Sequence, residues 1–191
     1  MRLIKYLYPA LLAVLLGACA RDKEPADAAI KAATQAIEQV RGEATRYAPE
    51  QLKQLEDSLK AAQDDFSKKE YKAALDAAGA VAAKAQDVAR AAAAKKAELT
   101  KSWDDLSAGT AQMMDGIKSR LDILGKAKKL PTGLDKDKLA ALTSGYDEAM
   151  KQFQAAKDAA SAGDLNKAIE ASNAVKQQAV DMAATLGLKQ Q

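Results

Sequence analysis

The sequence of 191 residues contains no histidine, a single cysteine, one tryptophan, two phenylalanines and four prolines. Without histidine the commonest general base at neutral pH is missing, and so are the mixed Cys/His metal sites. One cysteine excludes an internal disulfide. Glycine-rich phosphate loops and the Ser-x-x-Lys signature of serine–lysine nucleophiles are absent too. β-Branched residues are sparse, and nothing beyond the first apolar run reads as a strand. That run, residues 6–18, falls short of the roughly 20 residues needed to span a bilayer and is interrupted by Pro9. These absences argue against an enzyme and leave a helical protein as the expectation.

What is abundant is alanine, at 45 residues, with Lys, Glu, Gln and Leu filling most other positions. Alanine has the best helix propensity and the others are close behind it, so long helices are favoured almost everywhere. Alanine also contributes little apolar area, so helices must approach closely to exclude water. The expected fold is all-α, an elongated bundle of five or six antiparallel helices.

Arg2 and Lys5 precede the apolar run, which closes on Leu16-Gly17-Ala18-Cys19 and is followed at once by Arg21, Asp22, Lys23 and Glu24. The charged segment and the short apolar segment have the form of a secretory signal. A leucine three residues before a cysteine, with two small residues between, resembles the lipobox of bacterial lipoproteins. The resemblance implies that the Cys19 thiol receives a diacylglycerol, that the chain is cut before Cys19, and that the new amine is acylated. That covalent lipid is the only non-protein group expected, and no cofactor or metal is. Three acyl chains anchor far more firmly than one. Ala20 follows the cysteine where an aspartate would retain the protein in the inner membrane, so similarity to enterobacterial lipoproteins implies the periplasmic side of the outer membrane. The expected organisation is a signal peptide over 1–18, a lipidated tether over 19–25, and helical units over 26–97 and 98–191.

Removing Arg2 and Lys5 from the 29 basic residues leaves 27 against 26 acidic ones. So even a balance predicts no general attraction to nucleic acid.

Along the remainder, Ile30, Ala33, Ile37, Val40, Ala44 and Tyr47 recur at three and four residues, predicting a first helix from Ala26 or Asp27. Pro49 ends it and opens a second, with Leu52, Leu55, Leu59, Ala62 and Phe66 inward. Ser67 and Glu70 have the spacing of a capping box. From Tyr71 a stripe continues through Ala74, Ala78, Val81, Ala85, Val88 and Ala92, then Leu99, Trp103, Leu106, Met113, Ile117, Leu121 and Leu124. With no proline between Pro49 and Pro131, residues 70–127 are expected as one helix, with a break near Thr100–Ser102 as the alternative. Trp103 is expected in the core. Leu130-Pro131-Thr132-Gly133 is a loop. Asp135 caps the next helix, with Leu134 and Leu139 as a hydrophobic staple and Leu142, Tyr146, Met150 and Phe153 buried. Gly163-Asp164 ends it and caps the last helix, in which Leu165, Ala168, Ile169, Val175, Met182 and Leu186 face inward.

Residues 71–89 align without gaps on residues 165–183, which suggests two three-helix units sharing one long central helix. Tyr47-Ala48-Pro49-Glu50, the leucines after it and Glu70-Tyr71-Lys72-Ala73-Ala74 resemble the helical hairpin of an uncharacterised bacterial envelope family, a domain of unknown function often preceded by a lipoprotein signal. The resemblance covers residues 47–92 and implies a helical fold and an envelope location, with no catalytic residues to carry over.

No constellation reads as catalytic. Asp64-Asp65 and Asp104-Asp105 are helix neighbours that point about 100° apart, unlike a working dyad. The one basic concentration is Lys126, Lys128, Lys129, Lys136 and Lys138 around the Pro131 loop, offset by Asp135 and Asp137. Such lysines complement a helix C-terminus, and they are also a candidate contact for an anionic envelope component. The expected function is a non-enzymatic, lipid-anchored periplasmic scaffold, with the membrane as one partner and an envelope protein or peptidoglycan as the other. The alternative is a periplasmic helical binding module for a small or anionic ligand.

Overall fold

The computed structural model describes residues 22–188, and all regular secondary structure among them is helical. Five helices follow in order: α1 (Lys23–Tyr47), α2 (Pro49–Ser67), α3 (Tyr71–Gly125), α4 (Lys136–Ser161) and α5 (Leu165–Thr185). The protein is an all-α bundle, as its alanine content predicts. The chain divides into two compact units between Lys95 and Lys96, so α3 begins in one and ends in the other. The alternative break near Thr100–Ser102 does not occur. The Thr100 hydroxyl instead donates to the Lys96 carbonyl within the continuous helix, at 2.8 Å. Between Ala92 and Thr110 no side chain is fully buried, and Trp103, expected in the core, is half-buried with Leu99 and Leu106.

In the first unit, α1 opens earlier than its apolar stripe predicts. Lys23, Glu24 and Pro25, assigned by sequence to the 19–25 tether, form its first turn. Proline is tolerated there because the first amides of a helix have no intrahelical acceptor, and Glu24 suits the positive end of the dipole. Ala33, Ile37, Ala44 and Tyr47 are buried, and Ile30 and Val40 half-buried. Ala48 closes α1 with its amide on the Ala44 carbonyl and opens α2 with its own carbonyl accepting from Leu52, while Pro49 takes the first helical position. α2 returns antiparallel, burying Leu52, Leu55 and Ala62 and half-burying Leu59 and Phe66.

The turn after α2 lies where expected but is not a capping box. The Ser67 hydroxyl donates back to the Gln63 carbonyl. The turn is made instead by the Glu70 amide on the Asp65 carbonyl and the Lys69 amide on the Phe66 carbonyl, with Lys69 left-handed at φ 66°. These are the paired bonds of a Schellman ending, which usually carries glycine at that position. The Phe66 and Tyr71 rings meet edge-on across it, centroids 5.2 Å apart.

In the second unit α3, α4 and α5 share one core. Ile117, Leu121 and Leu124 of α3 pack with Tyr146 and Phe153 of α4 and with Val175, Met182 and Leu186 of α5. Two expected core positions shift. Met114 is buried where Met113 was expected, Met113 being only partly covered, and Met150 is exposed while Ala149 takes the inward place. α5 runs antiparallel to α4, with Gln178 bonded to Gln152, and in the same sense as α3, with Thr110 beside Ser172 and Arg120 reaching the Leu186 carbonyl. The Thr110 and Ser172 hydroxyls face each other at 3.4 Å and are fully buried, so each gives the other a partner in a site that water does not reach. The Asp135 carboxylate accepts from the Lys138 amide at 2.8 Å, and the Asp164 carboxylate from the Lys167 amide, as helix N-caps do. Leu134 and Leu139 flank the first cap and both pack against the core.

The alignment of residues 71–89 on 165–183 has a structural counterpart. Lys69 and Gly163 are both left-handed, and Tyr71 and Leu165 both open helices. Ala74, Ala78, Val81, Ala85 and Val88 are buried in one, and Ala168, Ser172, Val175, Ala179 and Met182 at the same offset in the other. The register extends backwards, with Leu52, Leu55 and Ala62 matching Tyr146, Ala149 and Ala156. The two hairpins are therefore built on one plan.

Candidate interaction surfaces

Cys19 and the Leu16, Gly17 and Ala18 that precede it lie outside the described residues. In sequence, α1 begins four residues after Cys19.

The lysine cluster sits where α3 ends and α4 begins. The last turn of α3 closes with the Lys126 amide on the Ile123 carbonyl and the Ala127 amide on the Leu124 carbonyl, and residues 126–135 then run without helix to the Asp135 cap. Lys126, Lys128, Lys129, Lys136 and Lys138 are all exposed. The Lys138 ammonium donates to the Gly133 carbonyl at 3.1 Å and so helps to hold the loop. Lys126, Lys128, Lys129 and Lys136 form no ion pair with any described carboxylate, for Asp135 is engaged as a cap and Asp122 is paired with Lys118 at 3.3 Å. Beneath the loop, Leu130 and Leu134 are half-buried against the core of the second unit.

Sequence reasoning missed the neighbour of these lysines. Ile123, in the last turn of α3, is 58% exposed, the most exposed large apolar side chain among the described residues. The sign was present, because Ile123 falls out of phase with the stripe of Ile117, Leu121 and Leu124. An isoleucine on the polar face of a helix keeps much of its apolar surface in water after folding.

A second feature lies between α1 and α2. A shallow groove of about 270 Å³ is lined by Thr34, Ile37, Arg41, Glu56, Leu59 and Gln63 among others. Arg41 bonds Glu38 at 2.9 Å on its own helix and Glu56 across the groove. The Glu38 and Glu56 hydrogen bonds hold its guanidinium protonated still more firmly than usual. This groove also escaped the sequence, since nothing in the spacing of Arg41 and Glu56 announces that the two helices bring them together.

Asp64 and Asp65 lie on α2 and Asp104 and Asp105 on α3, and no group of three potential metal ligands gathers among the described residues. No described helix is long and apolar enough to cross a membrane. The chain matches no family model, no curated protein and no solved structure.

Proposed function

We propose that this protein is a non-enzymatic, lipid-anchored scaffold of the bacterial cell envelope, held by Cys19 on the periplasmic side of the outer membrane and presenting its helical units to an envelope protein or to peptidoglycan. The observation that carries this reading is the sole cysteine directly after Leu16-Gly17-Ala18 at the end of a short apolar run. The closeness of α1, four residues further on, supports it, because an anchored cysteine would pass into a folded unit with almost no spacer.

The groove between α1 and α2 favours a second reading, a periplasmic helical binding module for a small ligand. Its guanidinium is already held by two carboxylates, so an anionic ligand would have to displace Glu38 and Glu56 from Arg41.

The test is Cys19→Ser in cells given labelled palmitate. The label is expected to disappear while the helicity of the protein is unchanged, because the cysteine serves the anchor and not the core. Retention of label by the variant overturns the proposal.

A further inference from the structure

We propose that the tip where α3 passes into α4, formed by Ile123 with Lys126, Lys128 and Lys129, docks the second unit on an anionic lipid surface. Three features meet there. Ile123 is 58% exposed on the final turn of α3. Lys126, Lys128 and Lys129 follow within six residues, all exposed and none paired with a described carboxylate. Leu130 and Leu134 pack against the core and hold the loop on the body of the unit, so it does not stand free in solvent.

Helix-end lysines by themselves need no ligand, since they complement the dipole. That account concerns the cations and does not involve the isoleucine beside them. An apolar side chain beside a basic cluster is the pattern of a segment that lies in the headgroup region, where the hydrocarbon enters about 5–10 Å and the cations meet lipid phosphates. A cell-wall polymer offers carboxylates but no apolar interior, and would leave the isoleucine in water. Asp135 and Asp137 offset only two of the five lysines around the loop, and Asp122 is paired with Lys118, so the charge of the tip stays positive. Each lysine at an anionic surface strengthens attraction about fivefold, so removing three weakens it by about two orders of magnitude.

This contact does not depend on Cys19, and the test separates the two. The full chain carrying Trp103→Phe and Ile123→Trp, which places its only indole at the tip, is reconstituted into vesicles of phosphatidylcholine alone or mixed equally with phosphatidylglycerol. The expected result is blue-shifted emission, quenched by brominated acyl chains, on the phosphatidylglycerol vesicles only. The shift is expected to vanish at about 1 M salt, where screening acts over about 3 Å, and when Lys126, Lys128 and Lys129 are replaced by glutamine. Far-ultraviolet dichroism, unchanged in every variant, confirms that the fold survives. Water-like emission on both vesicle types overturns the proposal, and so does a shift that ignores salt and the lysine substitutions. Lysine-dependent binding of the native-Ile123 chain to isolated cell-wall sacculi, without a lipid-dependent shift, also overturns it and assigns the tip to the wall.

Discussion

Tyr146 shows how one side chain couples the core to its surroundings. Its ring is buried among the helices of the second unit. Burial pushes its phenol above the ordinary value of about 10, with Asp115, Asp147 and Asp122 adding to the shift and Lys118 opposing it. The folded protein therefore keeps this proton after the unfolded chain has lost it. The share of stability that this phenol contributes is fully present below pH about 10 and is lost as pH rises through the folded value. Tyr146→Phe removes a group that ionises, so its urea midpoint is expected to decline less above pH 10 than that of the parent, whose other groups titrate equally in both. Parallel declines would show that the phenol ionises alike in both states. Residue identity was readable here, since the apolar stripe placed Tyr146 inward. Thr110 was not, because a hydroxyl residue is not counted as apolar, and it is buried only because α5 delivers Ser172 opposite it.

At the scale of elements, the helix ends repeat one device with different residues. α4 ends with Gly163 left-handed at φ 77°, and α5 is followed by Gly187 at φ 68°. After α2 the same place is held by Lys69 at φ 66°. A side chain there crowds the following carbonyl and costs about 1–2 kcal/mol, which glycine avoids while giving the unfolded chain more conformational entropy to lose. Lys69→Gly is therefore expected to stabilise the protein by a net of about 0.5–1 kcal/mol in denaturant unfolding. A lower midpoint would mean that the lysine stem repays its strain by contacts elsewhere. The turn at Ser67–Glu70 was legible as a place but not as a geometry, for a capping box and a Schellman ending draw on the same short stretch and only backbone hydrogen bonds tell them apart. α1 likewise begins at Lys23 because proline and charges suit a first turn, whereas periodicity sees only the apolar residues after it.

For the whole molecule, the two units repeat a plan but fill it differently. The first is lined largely by alanine, with Ala33, Ala44, Ala62, Ala74, Ala78, Ala85 and Ala92 buried. The second buries Met114, Ile117, Leu121, Tyr146, Phe153, Val175 and Met182. At about 25 cal/mol per Å² of apolar surface, larger side chains contribute far more than alanine. The second core draws only on residues beyond Lys96. A fragment of residues 96–191 is thus expected to fold alone, with helical dichroism and one cooperative urea transition. A fragment without helicity would show that its core is completed by the first half of the chain.

Helix was determined by the chain itself, because alanine propensity and three-and-four spacing act locally and need no partner. So were the corner at Pro49, the loop at Pro131 and the caps at Asp135 and Asp164, each set by a residue whose own backbone or side chain makes the turn. Tertiary structure decided which of two adjacent methionines is buried, that Met150 lies outside while Ala149 lies in, and that Arg41 meets Glu56. It also decided that Ile123 stands uncovered beside its lysines. A stripe tells which face of a helix turns inward, but only the neighbouring helices set how wide that face is and where their cover stops.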